Sequence, residues 1–178
     1  MRNIRFFLML VFLSFMFSCN KNNLLEKEIH DFYNTKIDLV LDSMKHMGDN
    51  LVYDSIFNSE WVYVTYVDSF SCSYCAVNHF SDWAKLEQYR EKGLMEYIFV
   101  VSPKKAGVSR IVEKVSKDTI WRNQIFIDSA GVFERINKKL PRNRLLHSFL
   151  IDKDGTVKLV GNPIDNAKIS DMLGEILQ

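Results

Sequence analysis

Apolar residues recur along this chain at two spacings, one helical and one extended. Leu25, Ile29, Phe32, Tyr33, Ile37, Val40 and Met44 fall mostly three or four apart, which predicts an amphipathic helix over 24–47. Gly48-Asp49-Asn50 ends it, closing an N-terminal helical segment over 24–50. Leu51 to Ile56 reads as a short edge strand. Trp61 to Val67 (Trp-Val-Tyr-Val-Thr-Tyr-Val) is wholly β-branched or aromatic and predicts a buried central strand. Residues 72–92 turn helical, with Ala76, Phe80, Trp83 and Ala84 on one face and Gly93 as the stop. Leu94 to Val101 is the next strand, ended by Ser102-Pro103, and Val108 to Val115 a short helix. Gln124 to Ile127 is a strand turning at Asp128-Ser129-Ala130-Gly131, and Val132 to Leu140 is helical. Leu146 to Ile151 and Thr156 to Val160 flank Asp152-Lys153-Asp154-Gly155, a hairpin pattern. Asp165 or Asn166 caps a last helix that reaches Leu177.

Strands joined by helices should pair in parallel, and the last two strands antiparallel, so the expected class is α/β with a central mixed sheet and flanking helices. No repeat or low-complexity run divides residues 51–178, which are expected to form one domain.

The start of the chain has a different character. Arg2 and Arg5 precede an almost wholly apolar run from Phe6 to Phe17, too short for a comfortable membrane span. Met16-Phe17-Ser18-Cys19 follows, with a small residue just before a cysteine, and looks like a lipobox in the looser form common among Bacteroidetes-type bacteria. The expectation is a lipoprotein signal peptide over 1–18, lipidation at Cys19 and an acylated tether over 19–23; the alternative is an ordinary secretory signal in which Cys19 is incidental. The leader inflates the 47% hydrophobic content of the 178 residues. Without it the formal charge moves from +1 to −1, so bulk charge gives no argument for nucleic acid as a partner.

Of the three cysteines, Cys72 and Cys75 remain as a C-x-x-C pair. Export would place them in an oxidising compartment, where a Cys72–Cys75 disulfide persists. So small a loop adds little chain-entropy stabilisation, which favours exchange chemistry over a structural staple. An inert structural pair is the plainer alternative. A zinc or copper site built from Cys72, Cys75, His79 and His147 is a third reading, weakened by the absence of a second C-x-x-C. His30 and His46 look like surface residues of the first helix. Lys138-Lys139-Leu140-Pro141-Arg142-Asn143-Arg144 carries four cations in seven residues. It reads as a solvated loop that, leading into Leu146, is also placed to lower a thiol pKa or meet an acidic partner.

The element order, with C-x-x-C between the first core strand and its helix, resembles the thioredoxin fold. The variant is similar to the TlpA-like and peroxiredoxin-related lipoproteins of Bacteroidetes. Tyr66-Val67-Asp68-Ser69-Phe70-Ser71-Cys72-Ser73-Tyr74-Cys75 stands where that family keeps its active site. Ile127-Asp128-Ser129-Ala130-Gly131 matches its middle strand and turn, and Ser148 to Gly155 its terminal hairpin; Gly161-Asn162-Pro163 also fits. The resemblance implies a thioredoxin-like domain over 51–178. Three positions depart from it: Ser71 stands for the usual Trp, Tyr66 for the buried acid, and Leu146, followed by His147, for the cis-proline that faces the cysteines. Tyr74, Leu146 and His147 are thus the expected site-facing residues, and Leu146→Pro is expected to alter the site more than the fold.

At such a site Ser71 would cap the helix and Cys72, in its first turn, would be the nucleophile. Cys75, a turn deeper, would be the buried resolving thiol, and Asp68 the nearest proton acceptor. The expected function is a membrane-anchored periplasmic thiol–disulfide oxidoreductase acting on exported protein thiols and disulfides. It would use its own redox-active disulfide, with no other cofactor, and exchange with an upstream thiol reductant or oxidant; the membrane is met through the lipid, at the outer membrane facing the periplasm. The alternatives are a thioredoxin-fold binding or scaffold lipoprotein without turnover, and a metal carrier.

Overall fold

The computed structural model describes residues 23–48, 50–117 and 124–178. The leader, Cys19 and most of the tether lie outside them. Six strands form one mixed sheet: β1 (Lys45–Met47), β2 (Trp61–Val67), β3 (Glu96–Val101), β4 (Gln124–Ile127), β5 (Ser148–Asp152) and β6 (Val157–Val160), in the order β1-β4-β3-β2-β5-β6. β2 pairs in parallel with β3, and β3 with β4, as the helical crossovers predict; β5 pairs antiparallel with β2 and β6, and β1 with β4. β2 is therefore the central strand, and the residues that follow it open at the middle of the sheet's edge.

Both faces of the sheet are covered, which is why β2, β3 and β4 read as continuous apolar runs rather than alternating ones. Tyr63 and Val67 of β2 point to one face, packed with Tyr97, Phe99 and Val101 of β3. That face is covered by α3 (Ser73–Asn78), a 3-10 segment (Phe80–Leu86), α4 (Glu87–Glu91), α5 (Val108–Lys117) and α7 (Ala167–Ile176). Val62, Val64 and Tyr66 point to the other face, covered by α1 (residues 23–32), α2 (Asn50–Asn58) and α6 (Val132–Ile136). Among the described residues no helix is long and apolar enough to cross a membrane.

Several expected elements change shape. The helix over 24–47 stops at residue 32, because Asn34 is left-handed (φ 60°) and the Thr35 hydroxyl donates to the Phe32 carbonyl at 2.8 Å. The chain then straps the outer edge of β6: the Asn34 and Ile37 amides donate to the Val157 and Gly155 carbonyls, and the Val157 amide to Thr35. Gly155 is required there, since its φ is +81° and a Cβ would lie 2.5 Å from the Ile37 carbonyl oxygen. Leu51 to Ile56, expected as an edge strand, is helical within α2; the edge strand is β1, which the helical reading had absorbed. The tract expected as one helix over 72–92 is broken into α3, the 3-10 segment and α4. Its buried apolar residues Val77, Phe80, Trp83 and Leu86 are spaced by three, a row that three residues per turn keeps on one face. Phe80 stacks on Phe99 with ring centroids 3.8 Å apart, and Ala84 is exposed. α6 ends at Ile136 instead of Leu140, because the Asn137 side chain accepts from the Asp38 amide and donates to the Asp38 and Phe133 carbonyls. The last helix is capped by Asn166, whose side chain accepts from the Lys168 and Ile169 amides.

Candidate active site

β2 delivers the chain to Asp68, and five residues later α3 begins. The turn between them is organised by one carboxylate. Asp68 Oδ1 accepts from the Phe70 amide (3.1 Å), the Ser71 amide (2.7 Å) and the Ser71 hydroxyl (2.6 Å), while Oδ2 accepts from Arg144 Nε (2.8 Å). Burial alone would raise this carboxyl, but the Ser71 and Arg144 hydrogen bonds outweigh it and hold the group below the usual carboxylate range. The residue expected as proton acceptor is thus a weakly basic anion whose lone pairs are already engaged.

Because the Ser71 hydroxyl is taken by Asp68, Ser71 does not cap α3. Cys72 is the N-cap, with its Sγ accepting from the Cys75 amide at 3.2 Å. Cys72 and Cys75 form a disulfide, with Cα atoms 5.2 Å apart. Cys75 was expected to be shielded; instead both cysteines are exposed, because the face of α3 that meets the sheet carries Ser73 and Val77, four apart. The disulfide sits on the open side of the helix start.

Aromatic rings and arginines surround the loop. Phe70 is 71% exposed, with the Arg144 guanidinium 5.7 Å from its ring centre. Tyr74, half-buried, carries the Arg110 guanidinium of α5 4.3 Å above its ring. Neither Phe70 nor Arg110 was singled out in the sequence. Phe70 had the signal of an apolar side chain in a turn of small polar ones; Arg110 had none, since only the packing of α5 beside α3 brings it there.

The residues before β5 divide between two surroundings. Leu146, expected to face the cysteines, is buried in the cluster on the opposite face of the sheet from the one α3 covers, because residues Arg144–Leu146 form a 3-10 turn. His147 is buried at 6% exposure, its ring 5.2 Å from that of Tyr66 and its Nε2 donating to the Pro141 carbonyl at 2.8 Å; Nδ1 has no partner. Tyr66, whose hydroxyl donates to Glu134 at 3.3 Å, is itself raised well above the usual tyrosine value, mainly by burial. Both rings line a cleft of about 640 Å³ that also takes in Asp68, Phe70 and Arg144.

The four residues of the metal reading are not brought together. His79 is exposed and faces Asp82, with Nδ1 3.4 Å from the carboxylate, while His147 is held on Pro141 and the cysteines are joined to each other. Among the described residues no group of three or more His, Cys, Asp or Glu side chains converges. His30 is exposed, but His46 lies in β1, half-buried, stacked on Phe126 and bonded through Nε2 to Gln124.

No protein-family model matches the chain, and no curated protein matches it. Solved structures do. A protein described as a thiol:disulfide interchange protein, DsbE, from Chlorobium tepidum superposes with a TM-score of 0.52 at 17% identity, over 82% of this chain and 98% of that one. The thioredoxin domain of a thiol-disulfide oxidoreductase from Bacteroides vulgatus aligns with a TM-score of 0.49 at 11% identity, over 82% of this chain and 98% of its own. With the first of these superpositions, the two parallel crossovers, the terminal hairpin and the C-x-x-C disulfide at the start of the helix after β2, the chain has a thioredoxin-like fold.

Proposed function

We propose that this protein is a thiol–disulfide oxidoreductase that acts on protein clients through Cys72 and Cys75. One observation carries the reading: an exposed disulfide at the start of the helix that follows the central strand. In the reduced state the Cys75 amide stands ready to bond a Cys72 thiolate, which favours Cys72 as the attacking sulfur. Its electron pair forms a bond to one sulfur of a client disulfide; the client S–S bond breaks and the other sulfur leaves as a thiolate that takes a proton from solvent. Cys75, deprotonated to solvent, then attacks Cys72. This forms the intramolecular disulfide and releases the client's second sulfur, so the client has gained two electrons and two protons. An upstream thiol reductant restores the dithiol, and the same steps in reverse oxidise a client. The disulfide is the only redox group this cycle uses. Asp68 acts by holding the loop, and solvent takes the protons.

We place the protein at the bacterial cell envelope, anchored by lipid at Cys19 and facing the periplasm from the outer membrane. The support is the charged and apolar leader that ends at Ser18-Cys19. A scaffold without turnover is the second reading, favoured by Leu146 standing where a proline is expected.

The test is trapping. Cys75→Ala should attack clients but lack the thiol that releases them, so covalent mixed disulfides accumulate and their partners can be identified. Cys72→Ala should trap none. The reverse pattern would exchange the two roles, and no trapping by either folded variant would turn the reading to a scaffold.

A further inference from the structure

The cleft lined by Tyr66, Asp68 and Phe70, which takes in the loop that precedes the disulfide, has a charge pattern that the exchange chemistry does not use. Four cations border it, Arg135, Lys138, Arg142 and Arg144, against two carboxylates, Asp68 and Glu134. Asp68 is committed to Arg144 at 2.8 Å, and Glu134 accepts the Tyr66 hydroxyl. Among the described residues Lys138 and Arg142 have no carboxylate partner, and both are exposed. Positive charge therefore faces this cleft without compensation. His147 on the same wall is more than nine-tenths buried, and its Nδ1 is left without a hydrogen-bond partner. Through the Arg144–Asp68–Ser71 chain of hydrogen bonds, this wall is joined to the residue next to Cys72.

We infer that the cleft receives an acidic segment of the client polypeptide, with carboxylates held by Lys138 and Arg142, so that the protein selects clients carrying acidic residues near the exchanging disulfide. The inference rests on the oxidoreductase reading and names its substrate class. Phe70, two residues before Cys72, lines the cleft and is exposed, which offers the segment an apolar contact. Charge complementarity of this kind acts mainly on the rate of encounter and weakens as salt screens it.

The experiment uses the pre-reduced full-length protein and two peptides with the same disulfide loop, one flanked by Glu and its twin by Gln. Hydroxyethyl disulfide, small and uncharged, serves as the reference oxidant. The Glu peptide should react about ten-fold faster than the Gln peptide at low salt, and the ratio should fall toward unity as salt is raised. In a Lys138→Glu/Arg142→Glu variant the ratio should drop to one or below; Lys138→Gln/Arg142→Gln repeats the test should charge reversal disturb folding. If the protein reduces hydroxyethyl disulfide yet treats the two peptides alike, the acidic-client inference is overturned and the oxidoreductase reading stands. If it reduces none of the three, both fall. A peptide preference that survives in both double variants would place recognition elsewhere. Capture of phosphatidylglycerol vesicles that the double variants lose, with no peptide preference, would assign the cleft to a membrane surface and overturn the inference too.

Discussion

Asp68 and Glu96 are both buried carboxylates, and their surroundings push them in opposite directions. Asp68 receives three bonds from the loop and one from Arg144, and its carboxyl is held below its ordinary value of 3.8. An acid lowered by folding contributes stability above its unfolded value, and that contribution is lost as pH falls through the folded one. Asp68→Asn should therefore cost about 2 kcal/mol at neutral pH in denaturant unfolding, since its amide would meet Arg144 donor to donor. The gap to wild type should close in strong acid, and an equal gap at both pH values would show that the anion does not hold the loop. Glu96 is the reverse case. Ser55 donates to Oε1 at 2.7 Å, but Oε2 is buried without a partner, and burial raises the carboxyl above 4.5. The ionised form opposes folding here, and the opposition is relieved as pH falls through the raised value. Glu96→Gln should thus stabilise the protein by about 1 kcal/mol at neutral pH, with a raised Tm, and lose that advantage toward acid. A lowered Tm at neutral pH would mean that the charge is wanted.

Elements buried on both faces were the easiest to read. The runs that became β2, β3 and β4 are apolar at nearly every position because helices cover both sides of the sheet, and no competing helical pattern fits them. Residues 24–47 deceived because a helix, a strap and an edge strand all bury apolar residues at spacings that a helix also allows. The turn at Asn34 depends on pairing with β6, which lies far along the chain. The broken helix after Cys72 was legible in principle, for its buried apolar residues, from Val77 to Leu86, keep a strict spacing of three. At the site, the C-x-x-C pair and its place after the central strand were plain, whereas the Asp68–Arg144 bond joins residues 76 apart and Arg110 arrives only through helix packing. The position before β5 shows what such errors do to a forecast. Leu146 is buried, and its amide donates to the Asn143 carbonyl at 3.0 Å. Leu146→Pro removes that donor and shrinks a core side chain, so it should destabilise the fold by about 3 kcal/mol or more, the opposite of the sequence-based expectation. A variant with unchanged unfolding and altered thiol reactivity would restore the original view.

At the scale of the whole molecule the two layers divide the labour. The layer with α3 carries the disulfide, while the layer with α1 leads back toward the leader. Cys19 stands four residues before residue 23, a span of at most about 14 Å. Cys19→Ala should move the protein from the membrane fraction to the soluble periplasm, and a variant that still fractionates with membranes would remove the support for lipidation. If Cys19 carries the proposed anchor, so short a leash would make the strap at Asn34, Thr35 and Ile37 a mechanical coupling. Tension entering from the N-terminal side passes α1 and is taken up by three backbone bonds to Val157 and Gly155, at the rim of the sheet. A second path runs from Glu28 of α1, which accepts from the Asn143 amide at 3.0 Å, through Arg144 to Asp68, so a tug on such a leash would also reach the loop that holds Cys72 and Cys75.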